Sequence, residues 1–298
     1  METGKIEFYK SRSVGEVLSA AADFLRQNWK ILYKNILIIG APLAVLQGIF
    51  LNNYSAAAKT VALGAGNVVE FGLNTLLFFV IAAVLSLFVY SITATMINRY
   101  GEGALTENTK WGDLKDSVYD FAGKTFVIGL ILILVIVVLA FVVGIISFGL
   151  GSASSIGAGI FKLIIFGLVI AFLPGLTLTF FPAYYSDYSA WDSFKTGISL
   201  GLRHWGSTFL VLLVAGIIAA VFSIILAGGY QIWSLLSITL QLGVVGTIIA
   251  YVLAIVASFA TLLATPITIV FLSFQYFSIV EKEDGISVQS GIDEFDNL

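Results

Sequence analysis

Six runs of predominantly apolar residues, each about as long as a bilayer is thick, constrain this chain more than any other feature. They lie at roughly Ile31–Leu51, Asn74–Ile97, Thr125–Phe148, Phe161–Pro182, Ser207–Ala227 and Gly246–Phe274. About 20 residues of α-helix rise roughly 30 Å, the depth of the hydrocarbon layer. A charge placed there costs at least ~2.5–3.5 kcal/mol, and the runs comply: the only Asp, Glu, Lys, Arg or His residues within them are Lys34 and Lys162, each near enough to an end to snorkel. Composition agrees, with 11% charged and 59% hydrophobic residues against about 25% charged in soluble domains. In lipid the backbone must satisfy its own hydrogen bonds within each segment, which helices do. The expectation is an all-α polytopic membrane protein of about six transmembrane helices.

The basic residues give the expected direction of threading. Lys5, Lys10, Arg12, Arg26, Lys30, Lys34, Arg99, Lys110, Lys115, Lys124, Lys195, Arg203 and Lys282 would share one side, thirteen of the fifteen. Only Lys59 and Lys162 fall opposite. An excess of Lys and Arg marks the cytoplasmic side, so both termini are expected in the cytoplasm. The first apolar run follows a long polar segment, too late for a signal peptide, and is expected to be a retained anchor. Residues 1–280 are expected to form a single membrane domain, followed by an acidic, flexible cytoplasmic tail at 281–298. Gly149–Gly159, rich in glycine and serine, is expected to be a flexible turn. Tyr230–Val245 fits a short interfacial helix, a re-entrant segment or a seventh span.

Three stretches share a layout: a capped amphipathic segment, an apolar span, a polar break and a second span. These modules cover about 13–97, 109–182 and 189–275. In the first, Val14, Val17, Leu18, Ala21, Leu25 and Trp29 recur at helical spacing, opposite Glu16, Asp23, Arg26 and Lys30. Ser13 and Glu16 match a capping box. The third aligns without a gap, Ser189 over Ser13, with Trp191, Phe194, Ile198, Leu202 and Trp205 on its apolar face. The middle segment carries Trp111, Leu114, Val118 and Phe121, with Asn108 and Thr109 as candidate caps. An apolar face, a charged face and tryptophans suit the membrane–water interface.

Chemistry is sparse. The chain has no cysteine, which excludes disulfides and thiol catalysis. No nucleotide-binding loop, serine elbow or histidine pair occurs, so no catalytic residue, cofactor, metal or nucleic-acid partner is expected. The one histidine, His204, is expected to cap the third amphipathic helix. Asn53-Tyr54-Ser55 matches a glycosylation triplet. The candidate substrate- or lipid-binding residues are Pro174, Thr177, Pro266, Thr265, Tyr185 and Asp187. Pro174-Gly175 and Pro266 interrupt the second spans of modules two and three, each near threonines (Thr177 and Thr179; Thr261, Thr265 and Thr268). Proline frees a carbonyl one turn back, which hydroxyls can re-satisfy. Two readings stay open: packing kinks, or the broken-helix sites of transporters. Tyr185 and Asp187 sit in an aromatic stretch that suits an interfacial belt or a ligand cluster.

The stretch Phe181-Pro-Ala-Tyr-Tyr-Ser-Asp-Tyr-Ser-Ala-Trp-Asp-Ser-Phe-Lys-Thr-Gly-Ile-Ser-Leu-Gly-Leu-Arg-His-Trp-Gly206 resembles a broad group of bacterial multi-span proteins. That group includes the membrane domain attached to some glycerophosphodiester phosphodiesterases. The ending Phe274-Gln-Tyr-Phe-Ser-Ile-Val-Glu-Lys-Glu-Asp-Gly285 resembles a Bacteroidetes-type member. The resemblance implies a multi-pass protein of the bacterial cytoplasmic (inner) membrane and carries over no catalytic residue. The leading expectation is a non-enzymatic protein with a structural or partner-regulating role, contacting the lipid bilayer and a membrane or cytoplasmic protein. The alternative is a transporter or handler of lipid or another uncharged amphiphile. Oligomeric state is not legible.

Overall fold

The computed structural model describes residues 5–106, 108–153, 155–240 and 243–285, and within them the side chains outside 148–156, 158 and 237–240. The helices are α1 (Val14–Ala62), α2 (Val68–Gly101), α3 (Trp111–Ala153), α4 (Ser155–Leu178), α5 (Phe181–Tyr185), α6 (Ala190–Arg203), α7 (Trp205–Leu240) and α8 (Gly243–Asp284). No strand occurs among the described residues. Six stretches are long and apolar enough to cross a membrane: Val14–Ala62, Val68–Gly101, Trp111–Ser147, Gly159–Tyr185, Trp205–Leu236 and Gly243–Asp284. The chain is a multi-pass membrane protein whose spanning helices meet bilayer lipid.

The helices overrun five of the expected spans, whereas the fourth, expected to run from Phe161 to Pro182, breaks at Thr179-Phe180 between α4 and α5. α1 has 49 residues, roughly 70 Å of helix. Its amphipathic start, Val14–Lys30, is therefore the opening of the span's own helix, with no break at Trp29. The middle segment likewise runs from Trp111 straight into α3. Amphipathic and wholly apolar helices share one period, and only a breaker separates them. Only the third segment stands alone, as α6. There His204 leaves helical geometry (φ −107°, ψ 36°) and its N–H closes on the Leu200 carbonyl. Of Tyr230–Val245, expected as a separate element, Tyr230–Leu240 continues α7 and Gly243–Val245 opens α8, with 241–242 outside the described residues. Glu281–Asp284, expected in the tail, forms the last turn of α8; residues 286–298 lie outside the described residues. The expected flexible turn at Gly149–Gly159 is helical on both sides of Ser154, which also lies outside them.

The caps follow the sequence in two cases of three. The Ser13 backbone N–H donates to Glu16 Oε2 at 2.7 Å, and the Glu16 N–H reaches back to Ser13 Oγ at 3.4 Å. Ser189 Oγ accepts from the Asp192 N–H at 3.2 Å. At α3 neither Asn108 nor Thr109 caps. Lys110 precedes the helix and its N–H donates to Asp113 Oδ2 at 2.9 Å, while Thr109 Oγ1 accepts from the Thr106 N–H instead.

The chain packs as two compact units. One comprises the described residues within 1–21, 119–212 and 271–298; the other comprises those within 22–118 and 213–270. Both cut across the three modules. In the second unit α1 and α8 run antiparallel in close contact. A Cβ at Gly48 would lie 2.4 Å from Ile255 Cα, and one at Gly40 would lie 2.5 Å from Leu262 Cδ1. Along the same seam the Tyr251 hydroxyl donates to Asn53 Oδ1 at 2.6 Å. Asn53 is thus committed to a helix contact, which disfavours the glycosylation reading. In the first unit α6 packs on α4 and α5.

Candidate functional site

Pro174, Thr177, Tyr185 and Asp187 belong to the first unit, and Thr265 and Pro266 to the second. Both prolines sit inside helices, α4 and α8. Pro174 leaves the Ile170 carbonyl, and Pro266 the Leu262 carbonyl, without the usual N–H donor, and each ring pushes the preceding turn open. The two breaks are managed alike. The Trp205 indole N–H donates to the carbonyl three residues before Pro174, that of Ala171, at 3.0 Å. The Tyr33 hydroxyl donates to the carbonyl three residues before Pro266, that of Leu263, at 2.7 Å. In both cases an aromatic donor from another helix covers the opened turn.

The threonines do something different from what their proximity suggests. Thr177 Oγ1 donates to the Pro174 carbonyl at 3.0 Å and Thr179 Oγ1 to the Leu176 carbonyl at 2.8 Å. Thr265 Oγ1 donates to the Thr261 carbonyl at 2.7 Å. Each hydroxyl is spent on its own helix, and none bonds the carbonyl that proline orphaned. A third interior proline, Pro42 in α1, drew no notice in the sequence because it lies in a first span.

Around Pro174 the backbone itself is the contact surface. A Cβ at Gly201 of α6 would lie 2.4 Å from Gly175 Cα and 2.5 Å from the Pro174 oxygen, and one at Gly197 would lie 2.4 Å from Thr179 Cα. The Pro-Gly break and the two glycines of α6 therefore meet without side chains between them. Buried Ser193 locks the crossing: Oγ donates to the Thr179 carbonyl at 2.7 Å and accepts from the Ala183 N–H at 2.8 Å. The buried face of α6 is thus Ser193, Phe194, Gly197, Leu200 and Gly201. Of the expected apolar face, Trp191, Leu202 and Trp205 remain exposed.

Tyr185 lies in an aromatic cluster. Its ring centroid is 4.6 Å from that of Phe277 and 6.1 Å from those of Phe181 and Tyr276. Its hydroxyl meets Ser273 Oγ at 3.0 Å, and Ser186 Oγ meets the Tyr276 hydroxyl at 2.8 Å. Tyr184 and Thr125 hydrogen-bond through their hydroxyls. Asp187 takes a left-handed backbone conformation (φ 53°) and its exposed carboxylate pairs with Lys124 Nζ at 3.1 Å. Such an exposed pair is worth at most about 1 kcal/mol. Lys124 also donates to the Ala183 carbonyl at 3.3 Å, which ties α3 to α5.

Sequence reasoning missed the strand of chain that seals this cluster. Before α1, Phe8 stacks on Phe277 at 4.8 Å and meets Phe274 edge-on at 5.5 Å. The Arg12 N–H donates to Ser278 Oγ at 3.0 Å, and Lys282 Nζ donates to the Arg12 carbonyl at 2.7 Å. The buried Arg12 guanidinium donates to the carbonyls of Glu7, Phe8 and Lys10. Burial lowers the Arg12 pKa, opposed by Glu7 and Glu16, and burial raises that of Tyr9. The aromatic spacing Phe8, Phe274 and Phe277 could have signalled this contact, but in an apolar sequence aromatics read first as an interfacial belt. Likewise His204 caps through its backbone only. Its ring bonds Glu283 Oε1 at 2.9 Å, and Arg203 meets Glu283 Oε2 at 2.9 Å, so the end of α6 is tied to the last turn of α8.

Among the described residues no group of His, Asp and Glu side chains converges as metal ligands would. Three buried oxygens of the second unit, Asn35 Oδ1, Gln47 Oε1 and Thr95 Oγ1, have no hydrogen-bond partner. No family model matches the chain, and no curated protein and no solved structure matches it.

Proposed function

We propose that this chain is a non-enzymatic integral membrane protein with a structural or partner-regulating role. One observation carries the reading: the polar groups at the candidate positions are already engaged within the chain. Thr177 and Thr265 bond their own helices, Tyr185 meets Ser273, and Asp187 pairs with Lys124. A recognition site needs polar groups aimed at a ligand; these are aimed at the fold. The resemblance to bacterial multi-span proteins and the cytoplasmic placement of both termini belong to the same proposal. The placement is supported by the Lys and Arg asymmetry. Reporter fusions after Gly103 and Asp187 are expected to read cytoplasm and one after Gly66 the far side; any swap refutes the orientation. Purification in native lipid, with identification of co-purifying proteins, is expected to return a stoichiometric partner. A catalytic activity reproduced by the purified chain alone would overturn the reading.

A handler of lipid or another uncharged amphiphile is the second reading. It is favoured by the unpartnered oxygens of Asn35, Gln47 and Thr95, which lie in the unit that contains the Pro266 break. Liposome flux of such a solute that falls when Pro174 and Pro266 are replaced by Ala would favour it. Flux indifferent to both replacements would remove it.

A further inference from the structure

The surface of α6 divides into three sectors. Successive residues of a helix turn by about 100°. The sector of Ser193, Phe194, Gly197, Leu200 and Gly201 is buried. Opposite it, Asp192, Ser199 and Arg203 form a polar sector. Between them, within an arc of about 60° at that period, fall Trp191, Lys195, Ile198 and Leu202. Trp191 is 56% and Leu202 40% exposed, and Ile198 is half-buried. Trp191 stacks on Phe194 at 5.6 Å and carries Lys195 Nζ over its ring at 5.9 Å. This apolar stripe thus lies on the flank of the helix, about 130° round from the face that packs on α4 and α5.

We propose that this stripe is a lipid contact, holding α6 in the membrane–water boundary with Trp191, Ile198 and Leu202 in the glycerol and upper acyl-chain layer of phospholipid. Two observations select that occupant. First, the stripe is continuous with a surface that already meets lipid: His204 alone separates α6 from the spanning helix α7, whose first turns expose Trp205 and Leu210. Second, the charge on the stripe is cancelled. Lys195 pairs with Asp192 at 2.8 Å, leaving the arc without net attraction for an acidic headgroup or an acidic protein. A tryptophan beside apolar residues and an alkyl-ammonium side chain suits the interfacial layer. The inner face of α6 then links that layer to the Pro174 break through Gly197, Gly201 and Ser193.

The natural lack of cysteine makes the test direct. Single variants Trp191→Cys, Ile198→Cys, Leu202→Cys, Asp192→Cys and Ser199→Cys of the full chain are spin-labelled in proteoliposomes. Their accessibility is compared between dissolved oxygen, which concentrates in lipid, and a water-soluble nickel complex. The expected result is an oxygen-to-nickel ratio several-fold higher at 191, 198 and 202 than at 192 and 199, equal in phosphatidylcholine and phosphatidylglycerol vesicles. Nickel access at 191, 198 and 202 matching that at 192 and 199 overturns the proposal. A contrast present only in phosphatidylglycerol overturns the assigned occupant in favour of an acidic headgroup. Five independent positions keep the pattern readable if one variant fails to fold.

Discussion

Replacing Gly201 by Ala tests the crossing of α6 over the Pro174 break. The added methyl would lie 2.4 Å from Gly175 Cα, 2.5 Å from Gly175 N and 2.5 Å from the Pro174 oxygen. Ordinary contacts between heavy atoms are about 3.5–4.0 Å, so the helices must separate by roughly 1 Å. All three obstructing atoms are backbone, and no side chain can rotate aside. Overpacking of this kind costs about 1–3 kcal/mol. Ala recovers up to about 1 kcal/mol of helix propensity over Gly, and separation weakens the two Ser193 bonds, each worth about 1 kcal/mol. The net expectation is a loss of about 2 kcal/mol, or roughly 4–8 °C at 2–4 °C per kcal/mol. Gly216→Ala is the control, because a Cβ there meets nothing within 4 Å and the propensity gain stands alone. The assay is thermal loss of the monodisperse peak in mild detergent for wild type and both variants. Gly201→Ala as stable as Gly216→Ala would refute the contact and, with it, the assignment of Pro174-Gly175 to helix packing.

Other perturbations separate the devices described above. Tyr33→Phe removes the donor to the Leu263 carbonyl and is expected to destabilise by roughly 1–3 kcal/mol, with faster amide exchange confined to α8 near Pro266; uniform exchange changes would contradict a local cover. Thr95 is 1% exposed and its hydroxyl is unpaired, whereas Thr93 Oγ1 bonds the Val89 carbonyl at 2.7 Å. Thr95→Val is therefore expected to raise stability by about 1 kcal/mol and Thr93→Val to leave it level or lower it; the reverse order in thermal melts would show that Thr95 is satisfied. The Asp192 pKa is lowered by its hydrogen bond to Lys195 and by that to Ser189. A depressed folded-state pKa contributes stability that is fully present above the ordinary carboxylate value and lost as pH falls through the lowered one. Exchange protection of the first turn of α6, corrected for intrinsic rates, should hold at pH 5 and fall only below the usual carboxylate range. Asp192→Asn should flatten that profile, and an unchanged profile in the variant would discount the cap.

The spans were legible because hydrophobic runs report their environment directly: all six recur, and five overrun the expected ends. What sequence could not supply was that two of the three amphipathic helices do not stop. Trp29 and Phe121 showed no breaker, and the helices pass through both; at His204, expected to close the third, the break is real. The prolines were visible, but the residues that cover their opened turns were not. Trp205 lies 34 residues from Ala171 and Tyr33 lies 230 from Leu263. Only tertiary structure brings donors from such distances, so neighbouring threonines looked like the natural partners. Phe8 and Arg12 escaped notice for the same reason, as their partners Phe277 and Ser278 lie at the other end of the chain. The alignment of Ser189 over Ser13 did identify two real caps, since capping needs only residues three apart.

The central claim is that the proline breaks and their threonines serve the fold and hold no ligand. Native mass spectrometry of the protein released from lipid nanodiscs tests it most directly, comparing wild type with a variant carrying Pro174→Ala, Thr177→Val, Thr265→Val and Pro266→Ala. The account predicts the same distribution of bound masses for both, with the variant differing only in thermal stability. A discrete adduct retained at one per chain by wild type and absent from the variant would contradict it.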